Sequence, residues 1–351
     1  MWNDEGGRMR HDTSGPKYNP KTTPWNISER DFPHNGTEEE RLRFFLRYAV
    51  LAPSGHNTQP WKFAIEQSTI QVYADPSRWL RVADADRREL HISVGCAIEN
   101  LLIAADYAGY GSEVTYLPTP NQQDHMATIR LIPDHHTTPR YDPALFAAIP
   151  TRHTNHKEYD GRPVPGDVVR RLEACCEATS VTLYLADDDT RKQQVEALMH
   201  EGDRRQFSDP AYRKELGTWI GRGVFGASWL QARIGQLAVT YINMGKTIAR
   251  KNARLLRSAP VLGVLATRED TAHAQMLVGQ VFERISLTAA TLGLSMHPMS
   301  QPLELPDLRK KLTDLLPVSG LVPQHVVRLG YAEPEAAHTP RRPLEDILVS
   351  V

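Results

Sequence analysis

Apolar positions recur along the chain at changing spacings, and the changes outline its elements. Thr37 followed by Glu38, Glu39 and Glu40 supplies a capping side chain and then acids where the helix dipole favours them. Leu42, Phe45, Leu46, Ala49 and Val50 continue that helix until Ala52-Pro53 stops it. After Pro60, the runs from Trp61 to Ile65 and from Ile70 to Ala74, joined by Glu66-Gln67-Ser68-Thr69, predict two short strands. A long apolar helix is expected over 87–110, with strands at Thr115 to Leu117 and Ala127 to Ile132. Asp134 to Asp142, with one proline and two histidines, reads as a linker. Beyond it the pattern predicts a helix near Val168 to Glu177, a strand at Val181 to Leu185 and a helix from about Thr190 to Arg204. A Gly- and Trp-containing helical stretch over 209–257 follows, then a strand at Val261 to Thr267, a helix over 271–292 and a strand at Val326 to Leu329. Helices and short strands mix without regular β-α-β alternation, so the expected class is α+β.

A faint repeat runs through this pattern. Gly95, Glu99, Ala105 and Gly109 return as Gly279, Glu283, Ala289 and Gly293, each 184 positions later. Ile103 falls over Leu287, and Ile129-Arg130-Leu131 resembles Val327-Arg328-Leu329. The repeat predicts two homologous lobes packed face to face, an intrachain pseudo-dimer with a pocket at its seam. The expected divisions are a loosely ordered arm at 1–37, a first lobe at 38–150 and a second at 151–351.

Composition narrows the function. The chain has 351 residues, 41 Lys+Arg against 42 Asp+Glu, and three cysteines. A near-zero net charge argues against a nucleic-acid partner. Three cysteines without a Cys-x-x-Cys spacing cannot frame a disulfide scaffold or a zinc site, and a cytoplasmic setting is expected. The most apolar run, Ile92 to Ile98, falls far short of the ~20 residues of a bilayer span, and the first residues lack the pattern of a secretory signal, so no membrane partner is expected. His135-His136 lacks the spacing of a metal site, and no metal is expected. The balanced charge is locally uneven, since 209–257 carries nine Lys+Arg and two acids among glycines and the aromatics Trp219, Phe225 and Trp229.

The densest chemistry lies in Ala52-Pro53-Ser54-Gly55-His56-Asn57-Thr58-Gln59-Pro60-Trp61, a loop stiffened by proline at both ends and rich in groups that can hold a planar polar ligand. Ala-Pro-Ser-x-x-Asn-x-Gln-Pro-Trp resembles the signature loop of the FMN-dependent nitroreductase family. With Asp75-Pro76-Ser77-Arg78 and Asp86-Arg87-Arg88-Glu89-Leu90 it is most similar to the family's two-lobed Acg-type branch. The resemblance runs from about residue 38 to 348 and implies a nitroreductase-like fold.

It also implies a site. Pro53, Ser54 and Asn57 would bind FMN from the first lobe. Arg152-His153-Thr154-Asn155-His156 resembles the family's Arg-x-Ser/Thr element, which implies Arg152 and Thr154 at the FMN phosphate, His153 beside them, and His156 at the flavin pyrimidine in place of the usual Lys or Arg. A guanidinium suits phosphate through two parallel charge-assisted hydrogen bonds. The turn Pro298-Met299-Ser300-Gln301 would present the Ser300 and Gln301 backbone N–H groups to flavin N5 and O4. The tail Thr339-Pro340-Arg341-Arg342-Pro343 resembles the family's basic C-terminal element, and one of Arg341 and Arg342 would face the phosphate. The family further implies that 209–257 covers the flavin. The expected activity is electron transfer from NADH or NADPH through FMN to a small nitroaromatic or quinone-like acceptor, with no protein nucleophile. The alternative is an FMN-binding protein that sequesters flavin with little turnover. Either would be a monomeric pseudo-dimer or a weak homo-oligomer.

Overall fold

A computed structural model describes residues 19–133, 139–335 and 337–350. Helix α1 (Glu38–Ala49) begins at the expected cap. The Thr37 hydroxyl accepts from Glu40 N at 3.2 Å, and the Glu40 carboxylate accepts from Thr37 N at 2.6 Å, a reciprocal capping box. Strands β1 (Trp61–Glu66) and β2 (Thr69–Ala74) pair antiparallel across a tight turn at Gln67-Ser68. Helix α2 (Arg88–Tyr107) leads to β3 (Gly111–Tyr116) and β4 (His125–Ile132), and the sheet order is β1-β2-β4-β3.

The second half repeats the plan. After α3 (Pro143–Ala148) and α4 (Gly166–Ala174) come β5 (Val181–Ala186), four helices, β6 (Val261–Thr267), α9 (Ala272–Thr291), β7 (Ser295–Pro298), α10 (Pro306–Asp314) and β8 (Val322–Gly330). The four helices are α5 (Asp189–Ser208), α6 (Pro210–Gly221), α7 (Trp229–Tyr241) and α8 (Gly245–Arg257). The second sheet has the order β5-β6-β8-β7, the first order over again. Each sheet also carries a register shift on its second strand, at Val72/Tyr73 and at Leu265/Ala266. The helical cover therefore replaces a hairpin turn: where the first lobe has Gln67-Ser68, the second has everything from 187 to 260. That is longer than the 209–257 segment expected, because α5 belongs to it too.

The two long helices form the seam, and their glycines explain the repeat. A Cβ on Gly95 would lie 2.1 Å from the Met276 carbonyl oxygen, and one on Gly279 would lie 2.0 Å from the Ile92 carbonyl oxygen. Such distances forbid any side chain, so backbone meets backbone at a pseudo-twofold crossing. His91 Nδ1 and Gln275 Oε1, again 184 positions apart, touch at 2.7 Å across the same axis. The repeated carboxylates are fully buried there, Glu99 held by Arg284 at 2.7 Å and Glu283 by Arg152 at 3.4 Å.

Two expectations change. Residues 19–37 do not form a loose arm: Trp25 and Ile27 are buried, and Phe32 packs edge-on against Phe44 at 5.2 Å. Aromatic anchors spaced among the prolines give this stretch apolar area to bury without any period. The sequence pattern also missed α3, β7 and α10, short elements whose apolar residues are too few to show a spacing. Most of the expected linker, including His135 and His136, lies outside the described residues. Among the described residues no group of ligands could hold a metal ion, and no helix is long and apolar enough to cross a membrane.

Candidate functional site

A cavity of about 580 Å³ opens at the seam, a size ordinary for a small-molecule site. Pro53, Ser54 and Asn57 line it from the first lobe. Arg152, His153, Thr154, His156, Ser300, Gln301 and Arg341 line it from the second. Phe207, Tyr212, Phe225 and Ile248 close it from the cover. Of the residues singled out in the sequence, Arg342 alone is not on its wall. Its guanidinium turns to the Asp346 carbonyl at 2.8 Å and to Asp75 at 3.7 Å, while its backbone N–H donates to Gln59 Oε1 at 2.8 Å. Of the two adjacent arginines, Arg341 is therefore the one at the cavity.

The signature loop is held in an uncommon conformation. His56, Asn57 and Gln59 have φ of 47°, 52° and 51°, the left-handed region that costs a side-chain-bearing residue energy. Hydrogen bonds hold it: Ser54 Oγ accepts from Gln59 N at 2.9 Å, and Ser93 Oγ accepts from Gly55 N at 3.2 Å. Asn57 does most. Its Nδ2 donates to Val224 O at 2.7 Å and to Pro340 O at 2.9 Å, and its Oδ1 accepts from Arg341 Nη1 at 3.0 Å. One buried amide thus ties together loop, cover and tail. Asn57→Gly keeps the backbone freedom and removes all three tethers. At about 1 kcal/mol per hydrogen bond we expect a loss of about 2–3 kcal/mol and faster proteolytic cleavage near Gly223 to Ala227. Denaturation midpoints and limited proteolysis measure both.

The Arg152 loop is positioned by a residue that the sequence reading used only as part of a repeat. Arg328, wholly buried on β8, donates to Asn155 O at 3.1 Å, Lys157 O at 2.8 Å and Leu255 O at 3.1 Å, and lies 3.9 Å over the Tyr159 ring. Asn155 N donates to Met296 O at 3.1 Å, which adds the loop to the edge of β7. Arg152, 4% exposed, faces Glu283 on one side and Thr154 Oγ1 at 3.5 Å on the other. Burial pushes the Glu283 carboxyl up to about 7, against the pull of Arg152. His156 packs edge-on to His297 at 4.3 Å, and burial lowers it below the ordinary histidine value, with Lys251 and Arg328 adding to the shift. Burial therefore favours its neutral form.

The basic end of the cavity is a stacked column. Arg341 lies 4.6 Å over Trp25, Trp25 stacks on His338 at 3.9 Å, and His338 stacks on His153 at 3.8 Å. Burial lowers His338 to about 4, and its neighbours His153, Arg152 and Arg341 add to the effect. An anion entering here would meet the positive charge of Arg152 and Arg341. Trp25 and His338 were both missed in the sequence. Pro24-Trp25, an aromatic beside a rigid residue in an otherwise polar stretch, was the available signal.

At the other end, Ser300 Oγ and His325 Nδ1 lie 3.1 Å apart, and Glu89 Oε1 is 3.5 Å from the same nitrogen. Burial works against the charge on Glu89, but Arg88 at 2.7 Å and His325 hold its carboxylate below the usual range. His325 Nε2 is buried without a hydrogen-bond partner, and the residue lines the cavity. Glu89 was noted only within a motif and His325 not at all.

Fold and site together define a class. Two copies of one α+β plan share a helical seam with a cavity on it, and this is the nitroreductase fold doubled within one chain. The crystal structure of "a putative nitroreductase" from Anabaena variabilis covers 88% of this chain and 91% of its own, with a TM-score of 0.56 at 9% identity. No family model matches the chain. Among curated proteins it is similar to "Putative NAD(P)H nitroreductase Rv3131" of Mycobacterium tuberculosis, 28% identical over 89% of this chain and 92% of the relative. It is also similar to "Putative NAD(P)H nitroreductase acg" of the same organism, 27% identical over 87% and 94%. The chain is thus similar over most of its length to a protein of the Acg-type branch that its signature loop resembles.

Proposed function

We propose that the chain binds FMN in the seam cavity and works as an NAD(P)H oxidoreductase of the nitroreductase type, reducing a small electron-poor acceptor such as a nitroaromatic or a quinone. The observation that carries this reading is convergence. Residues as far apart as Pro53 and Arg341, chosen for their likeness to a flavin site, meet on the wall of one cavity built from both lobes.

The residues fit the cofactor. Gln301 Oε1 and His325 Nε2 are buried without hydrogen-bond partners, Arg152 Nε makes no hydrogen bond beyond its 3.4 Å ion pair with Glu283, and all three residues line the cavity. Unsatisfied buried polar atoms are costly, so a ligand with an anionic end and a ring bearing donors and acceptors suits this wall. Arg152, Thr154 and Arg341 would hold the phosphate at the basic end. Ser300 and Gln301, at the start of a short 3-10 helix over Gln301–Glu304, would hold the ring. Bound there, FMN supplies reversible two-electron transfer between a nicotinamide and the acceptor. The chain's own groups orient and shield. His325, fixed through Nδ1 by Ser300 and Glu89, keeps Nε2 available to hold or pass a proton. Phe207, Tyr212 and Phe225 keep water from the cavity roof.

The flavin-sequestering reading has one observation in its favour, the latching of the cover to the first lobe. Besides the Asn57 amide, the Glu215 carboxylate accepts from Val82 N at 3.1 Å and from Ala83 N at 3.0 Å. Anaerobic addition of NADPH or NADH to the purified yellow protein separates the two. We expect the flavin absorbance to bleach within seconds and to return when an acceptor is added. A flavin band that stays unbleached favours sequestration, and a colourless protein that cannot be reconstituted with FMN overturns both.

A further inference from the structure

The cover turns an unusual face outward. Helix α7 packs on α6 through its small and polar side. Ala232 is buried, a Cβ on Gly235 would lie 3.0 Å from Ile220, and Gln236 and Thr240 sit against Gly221 and Gly217. The large apolar side chains point away: Trp229 is 73% exposed, Leu230 61%, Ile234 59%, Leu237 58% and Tyr241 78%. Positions 230, 234, 237 and 241 follow helical spacing, so they form one stripe about 17 Å long. Single exposed apolar residues need no explanation, but a contiguous stripe marks a contact surface.

Charge selects the occupant. From 210 to 257 the only acid is Glu215, which is engaged with the backbone of Val82 and Ala83. The exposed charges are Lys214, Arg222, Arg233, Lys246, Arg250 and Lys251, together with Arg254 and Arg257, which pair with Glu158 and Glu196. A second copy docked through the same face would match this basic segment with itself, because a twofold interface sets each patch against its own image. An anionic lipid surface complements both the stripe and the basic segment that carries it. Trp229 and Tyr241 stand at the first and last positions of α7, residue types that favour the headgroup level. The helix is too short to span the ~20-residue thickness of a bilayer and would lie along its surface.

We propose that α7 is an interfacial helix that seats this protein on an anionic membrane surface. The sequence expectation of no membrane partner rested on the absence of a span and does not bear on a surface contact. The test is co-sedimentation of the full chain with phosphatidylcholine vesicles, with and without phosphatidylglycerol. We expect binding only when phosphatidylglycerol is present, weakening as salt is raised. Ile234→Ser with Leu237→Ser should weaken it at least about tenfold. Both positions are more than half exposed, so the denaturation midpoint and the FMN content should not change. Absence of binding, equal binding to neutral vesicles, or binding untouched by the double variant overturns the proposal. So does a concentration-dependent dimer, seen by light scattering, that the same variant dissolves, which would give the face to a second copy. None of these readouts depends on flavin turnover.

Discussion

Gly279→Ala is expected to destabilise the protein by about 3 kcal/mol, at the upper end of what overpacking a core costs. The added methyl would stand 2.0 Å from the Ile92 carbonyl oxygen and 3.0 Å from the Gly95 Cα. Both neighbours are helix backbone and cannot rotate aside, so α2 and α9 must separate along the seam that carries the cavity. Gly95→Ala should cost the same, since its methyl meets Met276 in mirror fashion at 2.1 Å. Gly293→Ala is the control. Its φ of 70° penalises alanine, but no atom stands within 4 Å, and the expected loss is only about 1–2 kcal/mol. Urea denaturation followed by circular dichroism ranks the three. Equal losses at Gly279 and Gly293 would mean that the crossing is not the close backbone contact described here.

Arg152→Ala should lower FMN retention by about a hundredfold or more, the scale of one lost charge-assisted pair at a desolvated site. Stability would fall too, because Glu283 is left buried without its cation, a change worth about 3–5 kcal/mol when the carboxylate stays charged. The two effects can be separated. Burial already raises Glu283 to about 7, and without Arg152 it rises further. A carboxyl whose folded value lies above its unfolded one keeps more protons in the native state, so stability drops as pH rises through that window. The Arg152→Ala variant should therefore be closer to wild type at pH 6 than at pH 8. Adding Glu283→Gln should restore the midpoint at pH 8 without restoring FMN. Equilibrium dialysis and thermal melts at both pH values give the numbers. Unchanged FMN occupancy in Arg152→Ala would remove this residue from the phosphate site.

Much of this was legible before the structure. The long helices announced themselves through period, and the pairing of the lobes through the repeat, because a backbone crossing demands glycine at both of its positions. The site loops were legible because their residues sit in short contiguous motifs. What could not be read is what folding brings from far away. Arg328 looks like an ordinary strand residue until its guanidinium is found beneath the Arg152 loop. His325 carries no local signal, since its neighbours Glu89 and Ser300 come from other elements. Trp25 lay in a stretch without period, and its role follows only from stacking with His338. The size of the cover was underestimated because α5 has the polar texture of a surface helix, so nothing in its sequence marks it as part of an insertion.

Residues 347–349 finish the first lobe. Leu348 pairs with Phe63 as an added edge of the first sheet, Phe63 N donating to Ile347 O at 2.9 Å and Val349 N to Phe63 O at 2.8 Å. Near the other terminus, Pro20 O accepts from Arg341 N at 2.8 Å, and Trp25 packs under the Arg341 guanidinium. During synthesis the first lobe therefore leaves the ribosome with an open sheet edge and half a cavity, and waits for residues 341–349 before either is closed. A chain truncated before Arg341 would lack both the added strand and the arginine on the cavity wall.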